Sequence, residues 1–425
     1  MKLTPYWLDT APDFTSGAVE QLPGTCDVAV IGGGFTGLSA ALALARRGVD
    51  VVVLEAGKVV GAASGRNGGH CNNGLAHNVA GLAKTLGPDR ARALYHAFDA
   101  AVDRVEQLVE EEAIDCGFRR SGKIKLAAKP SHYDDLVKTH ELLSRDIDTD
   151  TELVPTSELE REVRSSQFHG GLLYRRSAML HVGRFGIGLA EAASRQGARI
   201  FEQTEVSGLN RLAGTRYEVT SARGTLRAEK VLVATGADTG DAFPFFRRRI
   251  VPVGSFIIAT EPLTSEQIDS AMPTRRTAVT TKNIGNYFRI SPDDRMIFGG
   301  RARFALSSPN SDAKSGLILQ RTMLQIFPQL AGTEIAYCWG GLLDVTRDRL
   351  PRAGQQDGLY YSMGYTGHGV QMAVYMGEVM ARLIAGDAAA NPFRDLPWPP
   401  VPAPASSSWF LPLIGMYYRF MDYVR

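Results

Sequence analysis

The stretch that most constrains the fold is a glycine-rich turn near the start of the chain. Residues 26–56, "CDVAVIGGGFTGLSAALALARRGVDVVVLEA", contain an apolar run, a glycine run, an alanine- and leucine-rich segment and a second apolar run. This pattern predicts a strand over 28–31, a helix over about 36–47 that stops at Gly48, and a strand over 49–54. A βαβ unit of this kind indicates a parallel sheet of the α/β class.

Three glycines of this unit have the spacing GxGxxG. Gly32 permits a tight turn, Gly34 lets the backbone approach a pyrophosphate, and Gly37 lets helix and strand pack closely, which leaves the phosphate at the helix N-terminus. Glu55, 23 residues beyond Gly32, ends the second strand, where a carboxylate can accept hydrogen bonds from an adenosine ribose. The unit therefore predicts dinucleotide binding, with a purely structural glycine turn as the alternative.

Three further segments favour a flavin dinucleotide over a nicotinamide one. They are the loop "VVGAASGRNGGHCNNG" (59–74), the strand end "KVLVATGAD" with Ala234-Thr235-Gly236, and the turn "GYTGHGV", which precedes a predicted helix over 370–385. Glycines let the backbone lie close to a flat ring, and the positive end of a helix suits a reduced, anionic flavin. The sequence shows no second dinucleotide fingerprint of the kind that disulfide reductases carry. We therefore predict FAD as the cofactor.

The remaining segments alternate between helical and antiparallel patterns. Periodicity predicts helices over 88–112, 130–165 and 182–193, a strand at "SGKIKLAA", a hairpin in "RYEVTSARGTLRAEKVLVATGAD" and an antiparallel sheet over 243–306. This order predicts an α/β protein in which a Rossmann-like FAD-binding domain is interleaved with a substrate domain built on a mixed, mainly antiparallel sheet. The predicted ranges are 1–85, 145–240 and 325–390 for the first domain, 86–144 and 241–324 for the second, and 391–425 for a C-terminal strap and aromatic tail.

Composition argues against several other classes of protein. A formal net charge of +2 gives no field that would gather nucleic acid. The four cysteines form no CxxC pair, which argues against a metal site and a disulfide framework. The opening "MKLTPYWLDTAPDF" lacks the apolar run of a signal peptide, and no stretch reaches the roughly 18 to 20 apolar residues of a membrane span. We predict a cytoplasmic protein with no metal and no nucleic-acid partner.

Taken together, these motifs resemble the D-amino-acid oxidase-like (DAO) family of FAD-dependent amine oxidoreductases, and within it the γ-glutamylputrescine oxidoreductase group. The motifs similar to that group are Tyr6-Trp7, "GAASGRNGG" (61–69), "RDRLPRAG" (347–354) and "GYTGHG" (364–369). The resemblance covers most of the chain and implies a substrate sheet lying over the flavin. It also implies that a carbon–nitrogen bond is oxidised by hydride transfer to flavin N5, that the imine is hydrolysed, and that dioxygen reoxidises the flavin and releases hydrogen peroxide.

The resemblance also implies cofactor contacts, carried over residue by residue. They are Gly32, Gly34, Phe35, Thr36, Gly37, Glu55 and Ala56 for the ADP half; Ser64, Arg66, Asn67, Gly68 and Gly69 for the pyrophosphate and flavin; Val206, Thr235 and Gly236 near adenine; and Gly364, Thr366, Gly367, His368 and Gly369 at the flavin pyrimidine edge. Gly65 stands where relatives with a histidyl flavin carry the ligand, and Cys338 in "YCWGG" is unlike the cysteinyl motif. The implied FAD is therefore non-covalent.

Four residues are candidate catalytic residues: His70, Tyr287 and Trp339 in the substrate cavity, and His368 beside the flavin, where the resemblance implies that it bonds the ring or polarises oxygen. His70 follows the glycine-rich loop and is equally compatible with a bond inside that loop, whereas His368 could instead cap its helix. Tyr287 and Trp339 fall in the predicted substrate sheet and its return, where an ordinary core position is the alternative.

Three arginines also have two readings each. Arg66 can neutralise a pyrophosphate or pair on the surface, and Arg347 with Asp348 can form a structural ion pair under the flavin or contact the substrate. Arg301 could clamp a substrate carboxylate, as amino-acid oxidases require, or point elsewhere.

This chemistry needs no dedicated nucleophile, because an amine held with its C–H facing the flavin is oxidised by the flavin itself. We predict an amine oxidase acting on a small-molecule amine, such as a γ-glutamylated polyamine, with dioxygen or another acceptor taking the electrons. The alternatives are a membrane-associated FAD dehydrogenase of an amino or 2-hydroxy acid that reduces a quinone, and a flavin-binding module without turnover. The tail "SSSWFLPLIGMYYRFMDYVR" could dock on the protein's own core, a second subunit or a membrane surface, and the oligomeric state stays open.

Overall fold

The structure, a computed structural model, describes residues 1–75, 79–300, 309–401 and 422. Its strands are β1 (Thr25–Ile31), β2 (Val51–Leu54), β3 (His70–Cys71), β4 (Lys123–Leu126), β5 (Thr151–Val154), β6 (Gly171–Tyr174), β7 (Ala178–Met179), β8 (Arg199–Phe201), β9 (Val206–Ala213), β10 (Arg216–Ser221), β11 (Gly224–Val233), β12 (Val251–Thr260), β13 (Thr277–Thr280), β14 (Asn286–Ile290), β15 (Met296–Gly300), β16 (Ile335–Val345), β17 (Arg352–Gln356) and β18 (Leu359–Met363). Its α-helices are α1 (Tyr6–Asp9), α2 (Phe35–Ala45), α3 (Ala63–Arg66), α4 (Val79–Leu86), α5 (Pro88–Glu111), α6 (Pro130–Asp146), α7 (Val182–Arg195), α8 (Pro244–Arg247), α9 (Ser265–Ala271), α10 (Pro309–Ile326) and α11 (Gly369–Ile384).

The first sheet has a parallel core. Its strands lie in the order β17-β18-β11-β1-β2-β8, and β10 and β9 extend it as an antiparallel hairpin layer. Side chains of β1 alternate between two apolar clusters, with Val28 and Val30 packing beside α2 and Ala29 and Ile31 packing on the opposite face. A parallel sheet covered on both faces explains why β1 and β2 are almost continuously apolar.

The second sheet is mixed and mainly antiparallel. Its order is β16-β12-β15-β14-β13-β4-β6-β5, and β4 with β13 is its parallel pair. One face packs on an apolar cluster that includes Ile124 and Phe288. Along the other face, Lys125 lies opposite Val279, which lies opposite Tyr287. Because side chains alternate along a strand, this second face is the more polar one, and it turns toward the first sheet.

Two long-range contacts fix elements that lie far apart in sequence. Helix α11 packs on α2, where the Ser39 hydroxyl donates to the Val374 carbonyl at 2.7 Å. At the N-terminus, the Lys2 N–H donates to the Ala336 carbonyl and the Lys2 carbonyl accepts from the Cys338 N–H, so the first residues run beside β16. The opening segment of the chain is thereby held against the second sheet.

The predicted fold class is confirmed, with two local corrections. The helix predicted over 130–165 is wrong beyond Asp146, because α6 ends there and β5 and a 3₁₀ turn (Thr156–Arg161) follow. Just after α6, the Tyr95 hydroxyl donates to the buried Asp148 carboxylate at 2.6 Å, and β5 then pairs with β6. Both contacts come from segments distant in sequence, which local periodicity does not reveal.

Three strands also belong to a different sheet from the one that the predicted domain ranges imply. β5, β6 and β16 fall within the ranges predicted for the first domain, but they pair in the second sheet. Sheet membership depends on long-range pairing, so local pattern could not set it. The interleaved domain division stays a prediction, with these strands moved to the second domain.

Within the described ranges, no helix combines the length and apolarity that a membrane crossing requires.

Candidate active site

A cavity of about 800 Å³ is lined by residues of both sheets. The predicted cofactor contacts on its wall are Gly32, Gly34, Phe35, Thr36, Glu55, Ala56, Ser64, Arg66, Asn67, Gly68, Val206, Thr235, Gly236, Thr366, Gly367, His368 and Gly369. Gly37, Gly69 and Gly364 stand behind the wall, each packed under a neighbour. Their roles stay predictions, but the fold brings residues scattered over most of the chain to one cavity.

The fingerprint turn is held by close backbone packing. Gly32 has φ +109°, and a Cβ there would lie 2.7 Å from the Ala234 carbonyl oxygen. A Cβ on Gly37 would lie 1.9 Å from the Gly32 oxygen, so the third glycine cannot be replaced without moving the turn. The turn therefore presents the N-terminus of α2, beginning at Phe35, to the cavity as an anion site.

Glu55 is fixed at the end of β2 by two backbone donors. Its Oε2 accepts from the Gly33 N–H at 2.6 Å, and its Oε1 accepts from the Gly57 N–H at 2.7 Å. Burial raises the pKa of this carboxyl, and the two N–H groups partly oppose that shift. Because a carboxylate can accept about four hydrogen bonds, each oxygen keeps a lone pair for a ribose hydroxyl.

The glycine-rich loop is shaped by its own polar groups. The Asn67 amide donates to the Ser64 carbonyl at 2.8 Å, and its oxygen accepts from the Gly69 N–H at 2.8 Å. Hydrogen bonds within the loop therefore fix its conformation. The Asn67 amide group is engaged within the loop, so the predicted contact of Asn67 with the cofactor does not use these donors.

Arg66 is anchored and still faces the cavity. Its Nε donates to the Gly61 carbonyl at 2.8 Å and its Nη1 to the Gly340 carbonyl at 3.2 Å. Burial raises the pKa of the neighbouring Asp238, and the Arg66 charge opposes that rise. The Nη2 group bonds to no described residue, which leaves it available to an anionic ligand.

His70 lies at the junction between the loop and the second sheet. Its Nδ1 is 3.1 Å from the Gly68 carbonyl, and its ring meets Tyr287 edge-on with centroids 5.4 Å apart. Burial, together with the Arg289 charge, lowers the pKa of His70 to about 3. The imidazole is therefore neutral near pH 7 and lies on the cavity wall, and its catalytic role stays a prediction.

Tyr287 sits at the centre of the polar sheet face. Its hydroxyl is 3.0 Å from the Ser255 hydroxyl, and its ring covers Gly299 on the neighbouring strand. Tyr287 and Ser255 both line the cavity. This placement suits the predicted contact with a substrate.

The structure places Trp339 differently from the prediction. Its side chain is fully buried in the core and donates through Nε1 to the Arg66 carbonyl at 3.0 Å. A cavity role for Trp339 is therefore replaced by a role in holding the loop. The sequence could not separate these, because an aromatic residue in a strand is compatible with either face.

Asp344 was not among the predicted residues. Its Oδ2 accepts from the Gly364 N–H at 2.6 Å and its Oδ1 from the Tyr365 N–H at 3.2 Å, so it fixes the second glycine-rich turn at the cavity wall. Burial raises the pKa of this carboxyl to about 6, against four backbone hydrogen bonds that lower it. The available signal was a lone carboxylate at the end of the apolar strand β16.

His368 lies at the start of α11, on the cavity wall, and packs edge-on against Phe98 with centroids 5.4 Å apart. Its side chain makes no cap hydrogen bond to that helix. The position of His368 on the cavity wall thus favours the predicted site role over that of a helix cap.

The remaining arginine predictions have different outcomes. Asp348 pairs with Arg352 at 2.5 Å, so the predicted Arg347–Asp348 ion pair is wrong as to its partner. Arg301 lies outside the described residues, as does the C-terminal tail apart from Asp422. The Asp422 carboxylate accepts from the backbone N–H groups of Asn283 and Ile284, both at 2.8 Å, so this position of the tail docks on the protein's own cavity-side loop.

The residues at one end of the cavity fit FAD. A helix N-terminus, a carboxylate at the end of β2, an arginine with an unused donor group and walls of backbone and glycine supply what an adenine dinucleotide and a flat ring need. The polar sheet face, with Tyr287 and Ser255, closes the other end.

Comparisons with known proteins agree with this geometry. Residues 27–383 match the DAO family model, described as FAD dependent oxidoreductase. Gamma-glutamylputrescine oxidoreductase of Escherichia coli (strain K12) is 34% identical over 404 residues, covering 94% of this chain and 93% of that protein. A probable oxidoreductase OrdL of Haemophilus influenzae is 33% identical, covering 99% and 97%. The solved structure of glycine oxidase from Geobacillus kaustophilus superposes with a TM-score of 0.71 at 22% identity, covers 88% of this chain and 100% of its own, and shows the shared fold.

Proposed function

Because the chain belongs to the DAO family of FAD-dependent oxidoreductases, we propose that it oxidises the carbon–nitrogen bond of an amine. The observation that carries this proposal is the single cavity that joins the dinucleotide turn to the polar face of the second sheet. A substrate in contact with Tyr287 would share one cavity with the cofactor. Such an arrangement suits direct transfer from substrate to cofactor.

In the proposed reaction the substrate loses a hydride from the carbon and a proton from the nitrogen. When bound, FAD supplies the acceptor for these two electrons. Water then adds to the resulting C=N bond, which gives an aldehyde and an amine or ammonia. Dioxygen takes up the electrons and two protons and leaves as hydrogen peroxide.

The cavity favours the reactive form of an amine. Only the neutral amine has the nitrogen lone pair that expels a hydride, and burial favours the neutral form of any amine. Lys123, on the same wall, illustrates this effect of burial on an amine, because burial lowers its pKa from 10.5 to about 7. The neutral His70 adds no charge beside the substrate.

We propose that the substrate is an extended amine such as a γ-glutamylated polyamine. The support is the similarity to gamma-glutamylputrescine oxidoreductase, which extends over 94% of this chain.

Anaerobic titration of the purified yellow protein tests the proposal. Polyamines, γ-glutamyl amines, and D- and L-amino acids are added in turn while flavin absorbance is followed, and peroxide is measured after air is admitted. We expect an amine to bleach the flavin and to generate peroxide. Bleaching by an amino or 2-hydroxy acid, with rapid reoxidation by a quinone analogue alone, would establish the dehydrogenase instead, and flavin that no compound reduces would establish a binding module.

A further inference from the structure

Two lysines stand side by side on the cavity wall, away from the fingerprint turn. Lys123 and Lys125 are two residues apart on β4, so their side chains leave the same face of the strand, while Ile124 and Leu126 enter the apolar cluster behind it. A strand with this alternation ordinarily turns its lysines to bulk water. Here the first sheet covers that face, and Lys123 keeps only 7% of its surface exposed.

Neither lysine has a carboxylate partner among the described residues. The Lys123 ammonium donates to the Asn73 carbonyl at 2.6 Å and lies 4.2 Å from the centre of the Tyr174 ring. Lys125 makes no hydrogen bond within the described ranges, and burial lowers the pKa of both side chains. The nearby carboxylates Asp99 and Asp148 are held by Asn73 and Tyr95.

An unpaired buried cation destabilises a fold, and apolar residues at the same positions would usually stabilise it. The buried Lys123, without a carboxylate partner among the described residues, and the partly exposed Lys125 beside it therefore indicate a function that offsets this cost. We propose that Lys123 and Lys125 form a subsite for a carboxylate at the far end of the amine substrate. This inference rests on the proposed function, since it assigns the substrate's second end.

The sheet register sets the length of that substrate. Lys125 lies opposite Val279 and Val279 opposite Tyr287, so the lysine is two strands away from the tyrosine, or roughly 10 Å. An extended chain needs about eight bonds to cover that distance. In an α-amino acid the carboxylate is attached directly to the reacting carbon, so it could not reach Lys125 while that carbon lies near Tyr287. An amine that carries its carboxylate about eight bonds away could.

The test uses FAD-loaded protein and two matched amines, aminooctanoate and octylamine, which differ in the terminal carboxylate. We expect aminooctanoate to reduce the flavin with the lower KM, and Lys125→Met to raise that KM on the order of 10- to 100-fold while leaving octylamine unchanged. Lys125→Glu should reverse the preference toward diaminooctane. Lys138→Met, which removes an exposed lysine, is the control.

Binding of octanoate, measured by calorimetry against neutral octanamide, separates this inference from the proposed function. Octanoate affinity that falls in Lys125→Met and Lys123→Met, with octanamide unchanged, supports the subsite even if no amine reduces the flavin. Amine oxidation with equal octanoate affinity in wild type and both variants would overturn the subsite and leave the proposed function standing. Since Lys125 makes no hydrogen bond to a described residue, its methionine variant should fold normally.

Discussion

Trp7 and Trp339 meet edge to face, with ring centroids 6.5 Å apart, and their indole N–H groups donate to the carbonyls of two consecutive residues, Asn67 and Arg66. Both rings are fully buried. One comes from the N-terminal helix and the other from β16, so the glycine-rich loop is gripped by two distant parts of the chain. The protein core, as well as any ligand, therefore shapes this wall of the cavity.

Trp339→Phe should weaken FAD binding roughly tenfold, because the buried Arg66 carbonyl loses its donor. FAD affinity is measured by quenching of flavin fluorescence on titration into apoprotein. Trp398→Phe is the matched control, since its indole also donates to a backbone carbonyl, that of Arg249, away from the loop. Equal FAD affinity in both variants would contradict the role assigned to Trp339.

Gly68→Ala should affect mainly the reaction, whereas Gly69→Ala should affect mainly the stability of the fold. A Cβ on Gly68 would lie 2.8 Å from both His70 Nδ1 and a Tyr287 ring carbon, so that variant should fold but oxidise amines more slowly. Gly69 has φ +70°, and a Cβ would lie 2.6 Å from both Arg289 Nη2 and the Leu180 oxygen. That variant should lose about 1–2 kcal/mol or more of unfolding free energy through the left-handed backbone alone.

Thermal unfolding and flavin content, measured together, separate these two glycine effects. Gly81→Ala is the control, because its Cβ would meet no atom within 4 Å. A Gly69→Ala protein as stable as this control would show that the packing around Gly69 has been misjudged.

Lowering the pH through about 6 should release FAD. Above this pKa the Asp344 carboxylate accepts from the Gly364 and Tyr365 N–H groups, and protonation replaces one acceptor with a hydroxyl donor. Since the folded pKa is raised above that of an unfolded carboxyl, the Asp344 contribution to stability grows as pH falls through this window. Loss of flavin, and not unfolding, is therefore the expected response of this group.

Flavin retention after gel filtration at a series of pH values measures this response. Asp344→Asn should retain little FAD at any pH, and Asp238→Asn, which removes another cavity carboxylate, should keep the wild-type profile. An unchanged midpoint in Asp344→Asn would assign the acid release to a different group.

Tyr287→Phe should slow anaerobic flavin reduction roughly tenfold while FAD affinity stays the same. The ring still covers Gly299, and only the hydroxyl that meets Ser255 is lost. Ser255→Ala removes the same hydrogen bond but keeps the tyrosine hydroxyl, so it should react at a rate near wild type. If the two variants are equally slow, the hydrogen bond matters and a direct contact of the hydroxyl with substrate does not.

Local pattern predicted the elements around the dinucleotide turn well. The helix expected over about 36–47 runs Phe35–Ala45, the helix expected over 88–112 runs Pro88–Glu111, and the helix expected over 370–385 runs Gly369–Ile384. Their periodicity and stop signals lie within the segment itself, so no distant contact is needed to infer them.

Features that depend on pairing across the fold were missed or misplaced. The sequence predicts a strand at "KIKL", but nothing local shows that the first sheet covers the face that carries its two lysines. Asp344 acquires its role from a turn 20 residues further on, and Trp339 from a loop far earlier in the chain. The site's composition was therefore accessible from sequence, whereas the orientation of its individual side chains was not.

The hydrogen bonds from Trp7 and Trp339 to the loop also form at different stages of synthesis. The ribosome delivers Trp7 and the loop early, but the Arg66 carbonyl lacks its second indole until β16 has emerged. A nascent chain arrested before that point carries an incomplete cradle, however well its βαβ unit has folded. Both indole donors to the loop are therefore present only in a chain that extends through β16.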